Sequence, residues 1–583
     1  MRRDRRVQLA ALVITLGCLV AIASLQPVIR DERDSLEIAV DSERNAQLPP
    51  DLAVLNAALG GFRSWIINFM WLRATKLQEE HRLYEAEQLS RWITQLSPHF
   101  DRVWTFQAWN LAFNISQQAD TDADRWRWVT AGIDLLRRDG LEINPLSKQI
   151  HRELAWFFWF KIGDVFDESY RYYRRALADE WQENLGTPAG ESTAVNLEQL
   201  RADGFRPIAI APRYPEELAQ LDPSFDVAIE ALSDLEEGLD RSLLIEMTSG
   251  ELDEPPTMRA EALQRIRDDL RVAGRFDEFV SFLRARVLRE QYRMDPNLML
   301  DMMEVLGPFD WRHEASHAAY WVVEGALRWA KQQREVRFLA SDPDYRIVMD
   351  QPFLLMSLKK LAFESGRIDR DPATGRYARS PEPRFIRAYE DARFTNATDN
   401  ARDLFQRDLE AATTTSYFFG DDRLVRRYFE RLQVDFGVDT DLETFVEGQL
   451  RAEVERNVEA GMDRFSALQS LCVNVFTRGY AIGREDVALR FRDAAQRLLS
   501  SYAVSDPSLP SFDELFETTL FGYLCSSPVT ATVAEKSRVW RAMPPETRAH
   551  LLPKQLPAGT LEEYLKALAR STGEEVEVLF PRN

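Results

Sequence analysis

Clustered positive charge is scarce in this sequence. Beyond residues 1–6 no block of Lys and Arg occurs, and the formal charge is 73 − 94 = −21. Phosphate backbones are bound by tracks of basic side chains, so nucleic acid is excluded as an expected partner. Cysteine is limited to three residues, with no CxxC pair, which leaves structural zinc and thioredoxin-type chemistry without ligands. Cys18 lies in an apolar run, while Cys472 and Cys525 stand in helical apolar runs and are expected as free, buried thiols. A 472–525 disulfide is the alternative in an oxidising compartment. No phosphate-binding loop, no dinucleotide glycine fingerprint and no G-x-S-x-G elbow is present, so nucleotide and serine-hydrolase chemistry have no foothold. Arginine outnumbers lysine about seven to one, a bias read as genome composition.

Apolar runs are plentiful by contrast. Residues 7–25 carry no charge and only Gln8, Thr15 and Ser24 as polar members. As a helix the run extends roughly 28 Å, the thickness of a bilayer's hydrocarbon. Four arginines precede it and a mixed Arg30–Asp34 follows, so the amino end is expected in the cytoplasm and the bulk outside. Residues 1–29 are thus expected as a single-pass anchor, or as a signal whose small-residue site is Ala21-Ile22-Ala23. Residues 30–50 are polar, end in Pro49-Pro50, and read as a stalk.

Residues 51–181 hold ten of the fourteen tryptophans. Leu89, Trp92, Ile93 and Leu96 stand at i, i+3, i+4 and i+7 and make one apolar helical stripe. Ser97-Pro98 ends that helix, because proline lacks the amide hydrogen and restricts the residue before it. Ala86, Ser90, Ile93, Pro98, Trp104, Ala108 and Leu111 together resemble the spacing of a tetratricopeptide (TPR) helix pair. Ser169, Tyr173 and Ala176 echo the first offsets, Ala155 follows Pro145 as Ala108 follows Pro98, and Val487, Phe491 and Ala494 give a third echo. The resemblance implies an all-α, TPR-like α-solenoid of antiparallel helix pairs behind an amino-terminal transmembrane helix, of a membrane-anchored bacterial type, and a role in holding other proteins.

Further along, residues 182–225 are rich in Gly and Pro and read as an irregular linker, with a strand-like piece at 207–211. Helices are expected to resume over 226–364, to break at a flexible loop over 365–384, and to fill a carboxy-terminal helical domain over 385–583. The apolar run 56–78 is expected as a buried first helix of the repeats.

Two motifs carry chemistry. His313-Glu314-Ala315-Ser316-His317 matches HExxH, in which two histidines one helical turn apart bind zinc and the glutamate activates water. Glu335 is the nearest later carboxylate for a third ligand. Against a zinc peptidase, the motif begins its helix, and His313, His317, Glu324, Arg328 and Lys331 share one face that reads as a solvated polar stripe, with Glu324 and Arg328 spaced as an ion pair. Asp120, Asp122 and Asp124 suggest calcium, but Arg125 and Ala131 occupy positions that an EF-hand gives to Gly and Glu. Asp124 is expected to cap the next helix. The expected activity is therefore partner binding without a cofactor, in an extracytoplasmic envelope assembly or transport complex. Its contact residues are expected among Trp104, Trp109, Trp126, Trp128, Trp156 and Trp159, and the alternative is a membrane-anchored zinc metallopeptidase. The tryptophans also admit a carbohydrate.

Overall fold

The computed structural model describes residues 63–80, 82–96, 100–188, 196–235, 237–249, 257–333, 346–349, 351–370, 377–395, 401–504, 506–525, 531, 533–550 and 569. Helix accounts for 79% and strand for 2%, which rules out a sheet-built core among these residues and gives an all-α protein. The chain divides into two compact units, Met1–Gln107 and Ala108–Asn583. The expected anchor, at 7–25, lies outside the described residues, and no helix among them is long and apolar enough to cross a membrane.

In the first unit, α1 (Arg63–Glu79) packs on α2 (Leu83–Leu96), and α3 (Asp101–Trp109) begins. Ala74, Leu77, Ala86, Ile93 and Trp104 are buried. The opposite face of α1 departs from the expected buried helix: Trp65, Phe69 and Leu72, at i, i+4 and i+7, are all at least 70% exposed. Apolar residues surround this helix on every side, so a single contact with α2 covers only one of its faces.

The second unit starts with a π turn, Asn110–Ile115, and continues with α4 (Asp122–Asp134), α5 (Lys148–Trp156), a second such turn at Phe157–Ile162, and α6 (Tyr170–Leu185). Thr121, not Asp124, caps α4: its hydroxyl accepts from the Asp124 amide at 3.1 Å and donates to the Asp124 carboxylate at 2.8 Å. Asp124 sits one turn in, where an acidic side chain also favours the helix amino end. The expected linker 182–225 is mostly helical in its described part. It holds α7 (Leu197–Ala209), a short helix at Pro215–Ala219, and the start of α8 (Pro223–Asp234). Pro215 and Pro223 each occupy the first turn, where a missing amide hydrogen costs nothing. Pro207 falls in the last turn of α7, and no strand forms there.

Next come α9 (Arg241–Ser249), α10 (Met258–Val272), α11 (Phe276–Glu290) and α12 (Pro296–Val305). Gly274, at φ +68°, makes the turn between α10 and α11. The organising element is α13 (Glu314–Gln333), which packs on α5, on the π turn at 157–162, on α12, and on α14 (Pro352–Lys360). Every residue from Leu306 to Leu327 is buried. Gly325 lets α5 come close, since a Cβ there would meet His151 Cβ at 2.6 Å. A further π turn, Leu361–Ser365, leads into strands β1 (Arg367–Arg370) and β2 (Tyr377–Ser380), paired antiparallel with Arg367 opposite Ser380. The expected loop 365–384 is thus an ordered hairpin in its described part.

After α15 (Ile386–Thr395) come α16 (Ala401–Phe418), α17 (Asp422–Phe436), α18 (Leu442–Glu459), α19 (Arg464–Asn474), α20 (Glu485–Ala503), α21 (Phe512–Cys525) and α22 (Val533–Ala542). These pack largely on near neighbours in the chain: α16 on α17, α18 on α19, and α19 on α20 and α21. Val487, Phe491 and Ala494, the third echo, are buried, and Phe491 stacks on Phe418 at 4.1 Å. Cys472 is buried and Cys525 exposed, and they are not bonded to each other, so Cys525 departs from the expected buried thiol.

Candidate functional site

The HExxH segment is not a solvated face. His313, Glu314, Ser316 and His317 are at most 1% exposed, and Glu324 is buried too. The helix starts at Glu314, so His313 is its cap and not a member: Nδ1 accepts the Ala315 amide at 3.0 Å. Nε2 then carries the proton and donates to Ser365 Oγ at 2.9 Å. His317 donates from Nε2 to the Trp311 carbonyl at 2.7 Å, with Phe158 stacked on its ring at 4.7 Å and Trp181 edge-on at 4.3 Å. Burial pushes both imidazoles down to about 3, which keeps them neutral.

This arrangement does not fit zinc. Three of the four ring nitrogens are engaged, and the fourth, His317 Nδ1, is enclosed among aromatic rings. Glu335 lies outside the described residues. The motif is instead a structural joint: Asp310 organises the approach by accepting from Arg312 at 2.7 and 2.9 Å and, through its carbonyl, from Ser316 Oγ at 2.7 Å.

Glu314, the residue a peptidase would use as base, is held by cations from three other elements. Arg379 of β2 donates to Oε2 at 2.6 Å, while Lys360 of α14 and Arg174 of α6 stand 3.3 and 3.4 Å from Oε1. Burial alone would raise this carboxyl, but Arg379, Lys360 and Arg174 outweigh it and hold it well below the usual carboxylate value. A glutamate held ionised by three cations is a weak acceptor for a proton from water. The spaced pair Glu324–Arg328 forms as expected, at 2.7 Å, but Glu324 is buried and also faces His151 at 3.5 Å.

The tryptophans divide three ways. Trp104 and Trp128 are core, and Trp126 is half-buried with its ring stacked on buried Tyr173 at 5.7 Å. Trp109 and Trp156 are half-buried and belong to a stacked aromatic ladder. Trp109 lies on Phe113 at 5.8 Å, Phe113 on Trp156 at 4.8 Å, Trp156 on Phe160 at 5.0 Å, and Phe160 meets Phe166 at 5.1 Å. Phe166 is 70% exposed and ends the ladder in solvent. Behind it Lys161 is buried against Asp167 and lies 4.8 Å from the Phe113 ring centre. Trp159 stands apart, in the wall of a cavity beside Arg174 and Lys360.

Phe113, Phe160 and Phe166 lie outside the expected contact residues, although Trp109–Phe113 and Trp156–Phe160 each repeat an aromatic at i, i+4. Both pairs run into a π turn, whose extra residue re-aims the side chains that follow. No protein-family model, curated protein sequence or solved structure matches the chain.

Proposed function

We propose that this chain is a membrane-tethered, extracytoplasmic helical scaffold that holds other proteins within an envelope assembly or transport complex. The observation that carries this reading is the ladder Trp109–Phe113–Trp156–Phe160–Phe166, whose rings stack on one another while remaining partly open to solvent. Rigid aromatic area of this kind is what interfaces concentrate their binding energy on. The tether rests on the uncharged run 7–25 of the sequence. The TPR-like solenoid is proposed for 401–542, where helices pack on near neighbours and the Val487, Phe491, Ala494 offset is buried.

The test is photo-crosslinking in native membranes, with the crosslinker placed at Phe113 or Phe166, or at Val272, a 90% exposed position on α10. The same discrete adduct is expected from the two ladder positions and not from Val272. No adduct above the Val272 background, or the same adduct from all three, overturns the reading.

A further inference from the structure

Charge is distributed oddly beside Glu314. The chain is strongly acidic and has only nine lysines, yet two of them, Lys359 and Lys360, adjoin at the end of α14. With Arg174, Arg379 and Arg393 they form a group of five cations sharing two buried carboxylates. Glu314 holds Arg174, Lys360 and Arg379, and Asp408 holds Lys359 at 2.6 Å and Arg393 at 3.4 Å. Four of the five, all but Arg379, line a cavity of about 480 Å³. Its other wall is apolar: Trp159, Val165, Leu355 and Met356.

Asp164 and Glu364 also line the cavity, so five cations face four carboxylates and one positive charge is left over. Glu364 is exposed, and Asp164 Oδ1 already accepts the Val165 amide at 2.6 Å. The cations also keep unspent donors. Lys360 and Arg174 lie farther from Glu314 Oε1 than the roughly 2.7–2.9 Å of a charge-assisted hydrogen bond, and Oε1, on a fully buried side chain, has no hydrogen-bond donor of its own. Arg174 Nε faces that same oxygen at 3.4 Å, and Trp159 Nε1 is buried without an acceptor.

We propose that this cavity binds a small amphiphilic anion: an oxyanion head group set among Arg174, Lys359, Lys360 and Arg393, carried on a short apolar body against Trp159, Leu355 and Met356. A pocket of this size suits a ligand of that class, with an apolar wall for area and a few convergent donors for orientation. The ammonium and guanidinium groups of Lys359, Lys360, Arg174 and Arg393, which line the cavity, supply the charge and N–H donors an oxyanion accepts. Gly163 completes the floor: its carbonyl accepts from both Arg174 and Lys360, and a Cβ there would meet Glu314 Cγ at 2.8 Å. The site does not depend on the scaffold reading.

Calorimetric titration of the full chain with hexyl phosphate, inorganic phosphate and hexanol tests this. Saturable binding of hexyl phosphate is expected, with inorganic phosphate at least about tenfold weaker and hexanol silent. Lys359→Gln should weaken hexyl phosphate by about tenfold, the share of one charge-assisted contact, with an unchanged circular-dichroism spectrum. Should that variant misfold, the same loss is expected in the unaltered protein on raising salt from about 50 to 200 mM. Hexanol binding as tightly as hexyl phosphate overturns the proposal. So does inorganic phosphate binding equally well, no saturation by hexyl phosphate in the millimolar range, or an affinity unmoved by both the variant and salt.

Discussion

The part of the second unit built around α13 and the array that follows Ala401 are both helical, yet they bury their apolar faces differently. In the first, α13 takes partners from α5, α12 and α14, so helices far apart in the chain must come together before any of them is covered. In the array, α16 to α21 lean mostly on their near neighbours. The contrast extends to polar groups. Around α13 charges are buried and answered from distant elements, as with Glu314 and its three cations. The array holds such a carboxylate too, Asp408 at its border with α14 and α15, but further along pairs such as Arg451–Glu447 are half-exposed and lie within one helix. Buried networks specify one arrangement at high cost if broken, and exposed pairs add little either way. The α13 region is therefore expected to unfold as one block, and the array in smaller steps.

That contrast can be broken by substitution. The largest effects are expected from two changes. Glu314→Ala leaves three part-buried cations without their buried carboxylate: about 3 kcal/mol, read as a lowered melting transition of the α13 region with the array's transition unmoved. Phe491→Ala in the array removes the ring stacked on Phe418 and should cost about 3 kcal/mol. Its loss should appear in hydrogen exchange of α16 and α20 alone. Gly325→Ala forces a methyl into His151 at the α5–α13 crossing, for about 2 kcal/mol. An exposed glycine-to-alanine change in the array, at Gly448 where nothing lies within 4 Å, should instead be neutral or stabilising.

The smallest effect is a pH dependence. Glu153 on α5 is raised from its ordinary 4.5 to about 7, chiefly because burial disfavours its charge. The folded state thus favours the protonated form, whose contribution is complete below about 4.5 and is lost as pH rises through 7. Melting temperatures of the unaltered protein and of Glu153→Gln, taken at pH 5 and pH 8, should diverge, the variant losing less on the alkaline side. Parallel behaviour would show that Glu153 is not held protonated.

Much of this fold is legible in the chain, and the misreadings have identifiable causes. The offsets at Ala86, Ile93, Trp104 and Ala108 predict burial, and all four are buried, because periodicity reports directly which face must leave water. The stripe His313, His317, Glu324 reads as solvated because polar spacing looks the same whether water or buried partners answer it. Those partners, Ser365 for His313, Phe158 and Trp181 for His317 and His151 for Glu324, lie far from it in sequence and carry no local signal. Prolines misled over 182–225: Pro215 and Pro223 start helices, which composition alone does not distinguish from a loop. The ladder is half legible: Trp109 and Trp156 stand out by residue type, whereas Phe113 and Phe160 join them only through π turns that i, i+4 spacing does not announce.

Hydrogen exchange of α13, with zinc added and with a chelator, bears most directly on the central claim that the His313–His317 segment is an enclosed joint and not a metal centre. Its amides should be among the slowest in the protein and indifferent to zinc. Rapid exchange across Ala315–Leu327, or protection that appears only when zinc is present, would contradict it.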